Sequence, residues 1–279
     1  MSKNFEFKRS LNIFKAEFKM RFKGTIIWLA LIVGMMAMYM LMYPVIDDIM
    51  GEKLALMPEE LLQIFGMSKH SVVDNYNSYF AMIYQIIFII LCCYGVSMGA
   101  NALYDEEKTK SIEFLNSVQV SRLEIYVGKF LVIMVNLLIL VMGSLITTIL
   151  CGLVVGEGTV DNMAIISVYK ISGITLFFFV ALGFFLASFL KKDIKPSMAG
   201  LSILFVTYII GYLGELVADK IEFIKMLSPI HITSASAIMD STMGIGNLDY
   251  NLLPVAIITL LMFGFIVGGA VLYRKRDFL

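Results

Sequence analysis

The stretch Asp105-Glu106-Glu107-Lys108-Thr109-Lys110-Ser111-Ile112-Glu113-Phe114-Leu115 sets charged and apolar side chains side by side. Glu106 and Lys110 are four residues apart in the order that favours a helix. Ile112, Leu115 and Val118 recur at threes, and Phe114 widens the apolar patch. Six residues beyond Leu115, Ser121-x-x-Glu124 forms a capping box that starts a new helix. The chemistry this pattern supports is docking. A short helix with exposed apolar side chains fits a groove in another protein. Bond-making chemistry finds no comparable constellation. The chain has no HExxH, GxSxG, Walker A or CxxC pattern. His70 and His231, the two histidines, fall in different connections and read as solvated loop residues, with metal binding across the loops as the weaker alternative. Cys92, Cys93 and Cys151 lie in apolar runs and read as small buried side chains, not as a disulfide framework. No catalytic, cofactor or metal-ligating set is expected in this chain.

The elements that hold this stretch follow from composition. Of 279 residues, 59% are hydrophobic and 16% charged, with a mean hydropathy of +0.85. Soluble domains have roughly 45–50% and 25%. A helix needs about 20 apolar residues to cross about 30 Å of hydrocarbon. Six segments qualify: 25–46, 80–103, 130–155, 171–190, 197–218 and 253–273. The fold class is therefore all-α, a polytopic membrane protein. The fourth and fifth spans are joined only by Lys191–Pro196 and must form a tight hairpin. Pro196 suits the first turn of the fifth, where no amide donor is needed. The first span is too long for a signal peptide and lacks a small-residue cleavage site.

Lys and Arg set the orientation. Residues 1–24 hold seven, 104–129 four, 191–196 three and the C-terminal tail three, which puts 17 of 22 on one side. Lys53, Lys69, Lys170, Lys220 and Lys225 fall on the other. Both termini are expected in the cytoplasm. Lys+Arg and Asp+Glu balance at 22 each, which argues against a nucleic-acid partner. In residues 1–24, Phe7, Leu11, Phe14, Phe18 and Phe22 share an arc of about 80°, with Lys8, Lys15, Lys19 and Lys23 on the adjoining arc. This predicts a separate amphipathic helix on the membrane surface, or else a tail helix packed on a partner. The connection after the fifth span carries Ser228-Pro229-Ile230 and a mildly apolar run, 232–239, too short to span. A re-entrant, interfacial or ordinary surface helix would fit. Ionisable groups are nearly absent from the spans. Glu215 sits near an outer end, and Gln85, Asn101 and Asn136 are neutral polar residues suited to helix–helix hydrogen bonds. Gly95-x-x-x-Gly99 and Gly264-x-x-x-Gly268 permit close helix approach.

The 104–129 connection resembles that of the permease subunits of ATP-binding-cassette transporters of the ABC-2 type. Those subunits carry, after the second span, Glu-x-x-x-Gly-x-Ile/Leu-Glu-x-Leu-Leu-x-x-Pro-Val-x-Arg and then Gly-Lys. Here it stands as Glu107 to Leu115, Val118-Gln119-Val120-Ser121-Arg122 and Gly128-Lys129. Ser111 replaces the usual Gly, and Gln119 stands where Pro is common. The ending Tyr273-Arg274-Lys275-Arg276-Asp277, the basic N-terminal helix, the six spans and the Ser-Pro segment are also similar. The resemblance implies a permease of the type V exporter kind, with an interfacial helix at 1–24, a six-helix domain at 25–279 and a coupling helix near 105–118. That helix would dock on a separate ATPase through Glu106, Glu107, Ile112, Glu113, Phe114, Leu115 and Arg122. Two ATPase copies would carry the ATP and Mg. A second permease, the same or homologous, would complete a path built mainly from the first, second and fifth helices. Gln85, Asn101 and Glu215 are candidates for that path or its gate. The cargo class implied is hydrophobic or amphipathic (drug, peptide or lipid), and the location is a bacterial plasma membrane.

Two other readings belong to different classes. A stand-alone secondary carrier would need buried charges or an inverted repeat, and neither is evident in the sequence. A membrane scaffold or immunity protein would carry the same docking helix. The orientation itself is directly testable. Cysteines introduced at Lys53 and Asn247 are expected to react with an impermeant maleimide in sealed cells. One at Lys108 is expected to react only after permeabilisation, and its labelling in sealed cells would reverse the topology.

Overall fold

The structure, a computed structural model, describes residues 6–46, 75–108, 121–156, 158, 160–190, 194–216, 227–243 and 252–275, with only the backbone at 105–108 and 215–216. The elements are α1 (Phe7–Leu41), α2 (Tyr76–Lys108), α3 (Arg122–Val155), α4 (Asn162–Phe189), α5 (Pro196–Leu216), the short α6 (Pro229–Ile232) and α7 (Ala235–Thr242), and α8 (Leu252–Lys275). Helices α1 to α5 and α8 are long and apolar enough to cross a membrane. Pro196 is the first residue of α5, as expected. Helix α4 begins nine residues before the expected span, because the Asp161 side chain caps it by accepting from the Met163 and Ala164 amides. Lys170, Ser167 and Asn162 had hidden those turns from a hydropathy reading.

One expectation needs correction. From Phe7 onward, the amphipathic segment expected at 1–24 is not a separate helix. Helix α1 runs without a break from Phe7 through Gly24 to Leu41. The reason is packing. Ser10, Glu17, Thr25, Ile32, Met36 and Met40 form one buried stripe along α1, and that stripe lies on α3. The two helices run parallel, with Ser10 and Ile13 against Gly128 and Leu29 and Val33 against Gly143. Bending at Gly24 would pull the first half off α3. Phe7, Leu11 and Phe22 face outward, as does Lys8.

Helices α4 and α2 form the centre. In their most apolar stretches 72% and 61% of residues are buried, against 22% in α1, α5 and α8. Their contact is close because it is built on glycine. A Cβ on Gly99 would lie 2.6 Å from the Val180 carbonyl oxygen, and one on Gly183 would lie 2.5 Å from that of Val96. The Gly95–Gly99 pattern is thus used for close approach. The Gly264–Gly268 pattern is not, since nothing lies within 4 Å of a Cβ on Gly264. Between α2, α3 and α4 sits an aromatic core in which every hydroxyl has a partner. The Tyr76 OH donates to the Thr148 carbonyl at 2.6 Å, and the Tyr84 OH meets Ser172 Oγ at 2.7 Å. Tyr169 stacks edge-on against Tyr84 at 4.5 Å and meets Thr148 Oγ1 at 3.2 Å. Cys92 and Cys151 are buried free thiols beside it.

The segment 228–242 descends into the bundle. Ser228, Pro229, Ile230, Thr233, Ala235, Ile238 and Met239 are buried. Thr233 Oγ1 donates to Thr175 Oγ1 at 3.0 Å, and Thr175 Oγ1 to the Pro229 carbonyl at 3.3 Å. Thr175 is the fourteenth of 28 residues in α4, so α6 reaches half its length. Broken helix at that depth is tolerated where protein buries it. The segment is therefore not an exposed surface helix, and its burial fits the re-entrant reading.

Gly183→Ala is expected to destabilise the bundle by about 1–3 kcal/mol, because backbone blocks the new methyl. Gly264→Ala should be neutral or stabilising within about 1 kcal/mol. Thermal unfolding of the two variants in detergent would rank them, and equal midpoints would mean that the α2–α4 contact is looser than described.

Candidate functional site

We use "basal end" for the end where α1 and α3 start and α2 and α8 finish. It holds the two stems of the 104–129 connection. The capping box forms as the sequence predicts. Ser121 Oγ accepts from the Glu124 amide at 3.3 Å, and Glu124 Oε2 accepts from the Ser121 amide at 2.6 Å. The other oxygen of the same carboxylate accepts from the Glu6 amide at 2.7 Å. One buried side chain therefore caps α3 and holds the start of α1. Gly128 follows one turn later, where a Cβ would lie 2.8 Å from the Ser10 carbonyl oxygen. Arg122 stands at the rim, with one guanidinium nitrogen 3.5 Å from the Arg274 carbonyl at the end of α8.

Below these sits a cluster that sequence reasoning missed. Lys129 is 2% exposed and Glu17 7%. Lys129 Nζ lies 3.1 Å from Glu17 Oε1 and donates to the Ala102 carbonyl of α2 at 2.7 Å. Glu17 Oε2 is held by Arg21 Nε at 3.0 Å. Arg21 reaches on to Met98 of α2, its guanidinium 4.0 Å from the sulfur. Three helices thus meet on one carboxylate and one ammonium. Burying such charges is unfavourable unless each is paired and hydrogen-bonded, and removing one partner strands the other. The available signals were the Glu17–Arg21 spacing of four and the position of Lys129 at the start of a span.

The expected docking residues divide. Glu106 and Glu107 continue α2 to Lys108, so the first part of the expected coupling helix is an extension of the second span. Ile112, Glu113, Phe114 and Leu115 lie outside the described residues, as do the Glu106 and Glu107 side chains. Gln85 and Asn101 are not brought together. Gln85 Oε1 accepts from the Ala235 amide at 3.3 Å and so supplies the cap that Ser234 does not give α7. Asn101 is 16 residues further along α2, about 24 Å away and about 160° around the helix. It belongs to a stripe with Ile86, Ile90, Cys93 and Ser97 that remains at least partly open. Glu215 is in the last turn of α5, and its side chain lies outside the described atoms. Asn136 is buried in α3, with no donor to its Oδ1 among the described residues.

Glu124→Ala is expected to cost about 1–3 kcal/mol, since it leaves amides at two helix starts without an acceptor. Ser121→Ala removes one cap bond and should cost about 1 kcal/mol. Chemical denaturation of both variants tests the order, and a Glu124→Ala effect no larger than that of Ser121→Ala would show that the Glu6 contact contributes nothing.

Comparison with known families gives one result of wide coverage. The family described as ABC-2 family transporter protein matches residues 11–278. No curated protein matches the chain. The matched region contains α1 from Leu11 onward, the other five candidate spans, both stems of the basal connection and the buried segment 228–242. The chain belongs to the ABC-2 transporter family and is a multi-pass membrane permease.

Proposed function

We propose that this permease is the membrane half of an ATP-driven exporter, powered by a separate ATPase subunit that docks on the 104–129 connection from the cytoplasm. The observation that carries the reading is the anchoring of that connection. Its first stem, the end of α2, is tied to its second, the start of α3, by Lys129 Nζ on the Ala102 carbonyl. The second stem is tied to α1 through Glu124 and Glu17. Between such stems, Ile112, Phe114 and Leu115 stand among Glu106, Glu107, Glu113 and Arg122. An apolar anchor with a charged rim is the composition of a docking element.

ATP and Mg belong to the ATPase in this reading, which acts as a pair. A second permease completes the transport path. The stripe on α2 supports this, because it carries Ser97 and Asn101 on a face that is otherwise lipid-directed. Small and polar side chains on an open face suit a helix–helix or water-lined contact better than lipid. The basal end faces the cytoplasm of a bacterial cell, by the excess of Lys and Arg there. The cargo is hydrophobic or amphipathic.

Burying a Phe or Leu side chain is worth about 1.5–3 kcal/mol, and an exposed rim ion pair about 0–1. Phe114→Ala with Leu115→Ala is therefore expected to weaken ATPase retention at least tenfold, while Glu113→Gln changes it less than fivefold. The assay is co-purification of a subunit identified by its Walker A peptide, followed by ATP hydrolysis in nanodiscs. Full retention and hydrolysis in the double variant would remove this connection as the docking element. Absence of any such subunit from the wild-type preparation would favour a non-transporting scaffold.

A further inference from the structure

The Glu17–Lys129–Arg21 cluster does more than the docking reading requires. Docking needs only the connection and its stems. Here the ammonium at the end of the connection bonds to α2 and α1 together. Lys129 and Glu17 are almost fully buried, whereas in the Arg9–Glu6 pair Arg9 is partly and Glu6 largely exposed. The two helices so joined differ in their surroundings. Helix α2 is buried at the centre, and α1 is peripheral and packs mainly on α3. A displacement of the connection stems therefore has a short polar route to α1. The contact is directional, because Lys129 Nζ, the Ala102 carbonyl and Glu17 Oε1 are held at 2.7 and 3.1 Å.

We propose that Glu17 and Lys129 are positioning residues that transmit movement of the ATPase-docking connection to α1, with Arg21 holding the Glu17 carboxylate in place. The inference rests on the docking reading above. In it, ATP-driven motion reaches α1 as a rigid displacement with α3, and the outer end of α1 shifts against α8.

The test uses the whole permease–ATPase complex in nanodiscs, in a chain with Cys92, Cys93 and Cys151 replaced by alanine. Nitroxides are placed by Met38→Cys on α1 and Leu260→Cys on α8, both at exposed positions. Pulsed electron resonance then gives the distance between them without nucleotide and with ATP and vanadate. The reference chain is expected to show an ATP-dependent shift. Glu17→Gln and Lys129→Met each weaken a buried ion pair and lower the unfolding midpoint, but should retain the ATPase, with the shift reduced to less than half. Lys129→Arg, which retains the charge, should restore it. A full shift in both neutral variants overturns the inference. So does loss of the ATPase from both, which would make the cluster a structural support only, and so does failure of Lys129→Arg to recover the shift. If the reference chain shows no ATP-dependent shift, the docking reading itself fails, and this inference falls with it.

Discussion

A polar group inside a hydrocarbon layer has no water to turn to, and leaving it unpaired costs several kcal/mol. The arrangement of this bundle follows from that constraint. Hydroxyls on the apolar helices fold back on their own backbone: Thr147 on Gly143, Ser172 on Val168, Ser188 on Phe184 and Thr259 on Val255. Tyrosine hydroxyls cross to the next helix, as Tyr79 does to the Tyr39 carbonyl. The broken backbone of α6 and α7 is possible only because Thr175 and Gln85 stand where its free groups arrive. At the basal end the same demand applies to full charges, and Glu17, Lys129 and Arg21 meet it by converging.

The convergence explains the long helices. Helices α1, α2 and α3 have 35, 33 and 34 residues, each about 50 Å in length against a hydrocarbon layer of about 30 Å. Their surplus turns need partners of their own. At the basal end α1 and α3 supply them to each other through Glu124, Gly128 and Lys129. The capping box is thus the end of a parallel helix pair rather than an isolated helix start. The amphipathic character of residues 7–24 remains, but its buried edge is Ser10 and Glu17, not the phenylalanine face.

Much of this was legible in the residues. Six apolar runs gave the spans, Pro196 marked the start of α5, and Ser121 with Glu124 marked that of α3. What escaped detection depends on contacts between distant segments. Periodicity shows that Phe7 to Phe22 share a face, but it cannot show that Ser10 and Glu17 are the side covered by α3. Two glycine patterns with identical spacing behave differently, because Gly95 and Gly99 come up against the α4 backbone, whereas Gly268 meets only the Phe185 ring and a Cβ on Gly264 would meet nothing among the described residues. Lys129 reads as one basic residue among four in its connection until its two acceptors are in view. Gln85 reads as a span polar group until the α7 amide arrives beside it. The docking residues between 109 and 120 rest on the pattern of charge and apolar side chains alone.

The pairing of Glu17 with Lys129 has a bearing on how the protein is made. Lys129 follows Glu17 by 112 residues, which at 5–20 residues per second is roughly 6–22 s of synthesis. During that interval α1 and then α2 are made, but the α3 stem that carries Lys129 is not complete. Arg21, four residues on, is the one counter-charge the nascent helix carries with it on that face. Lys129 joins the Glu17–Arg21 pair only once α3 has been made, so the three-helix cluster is the last contact of this group to close.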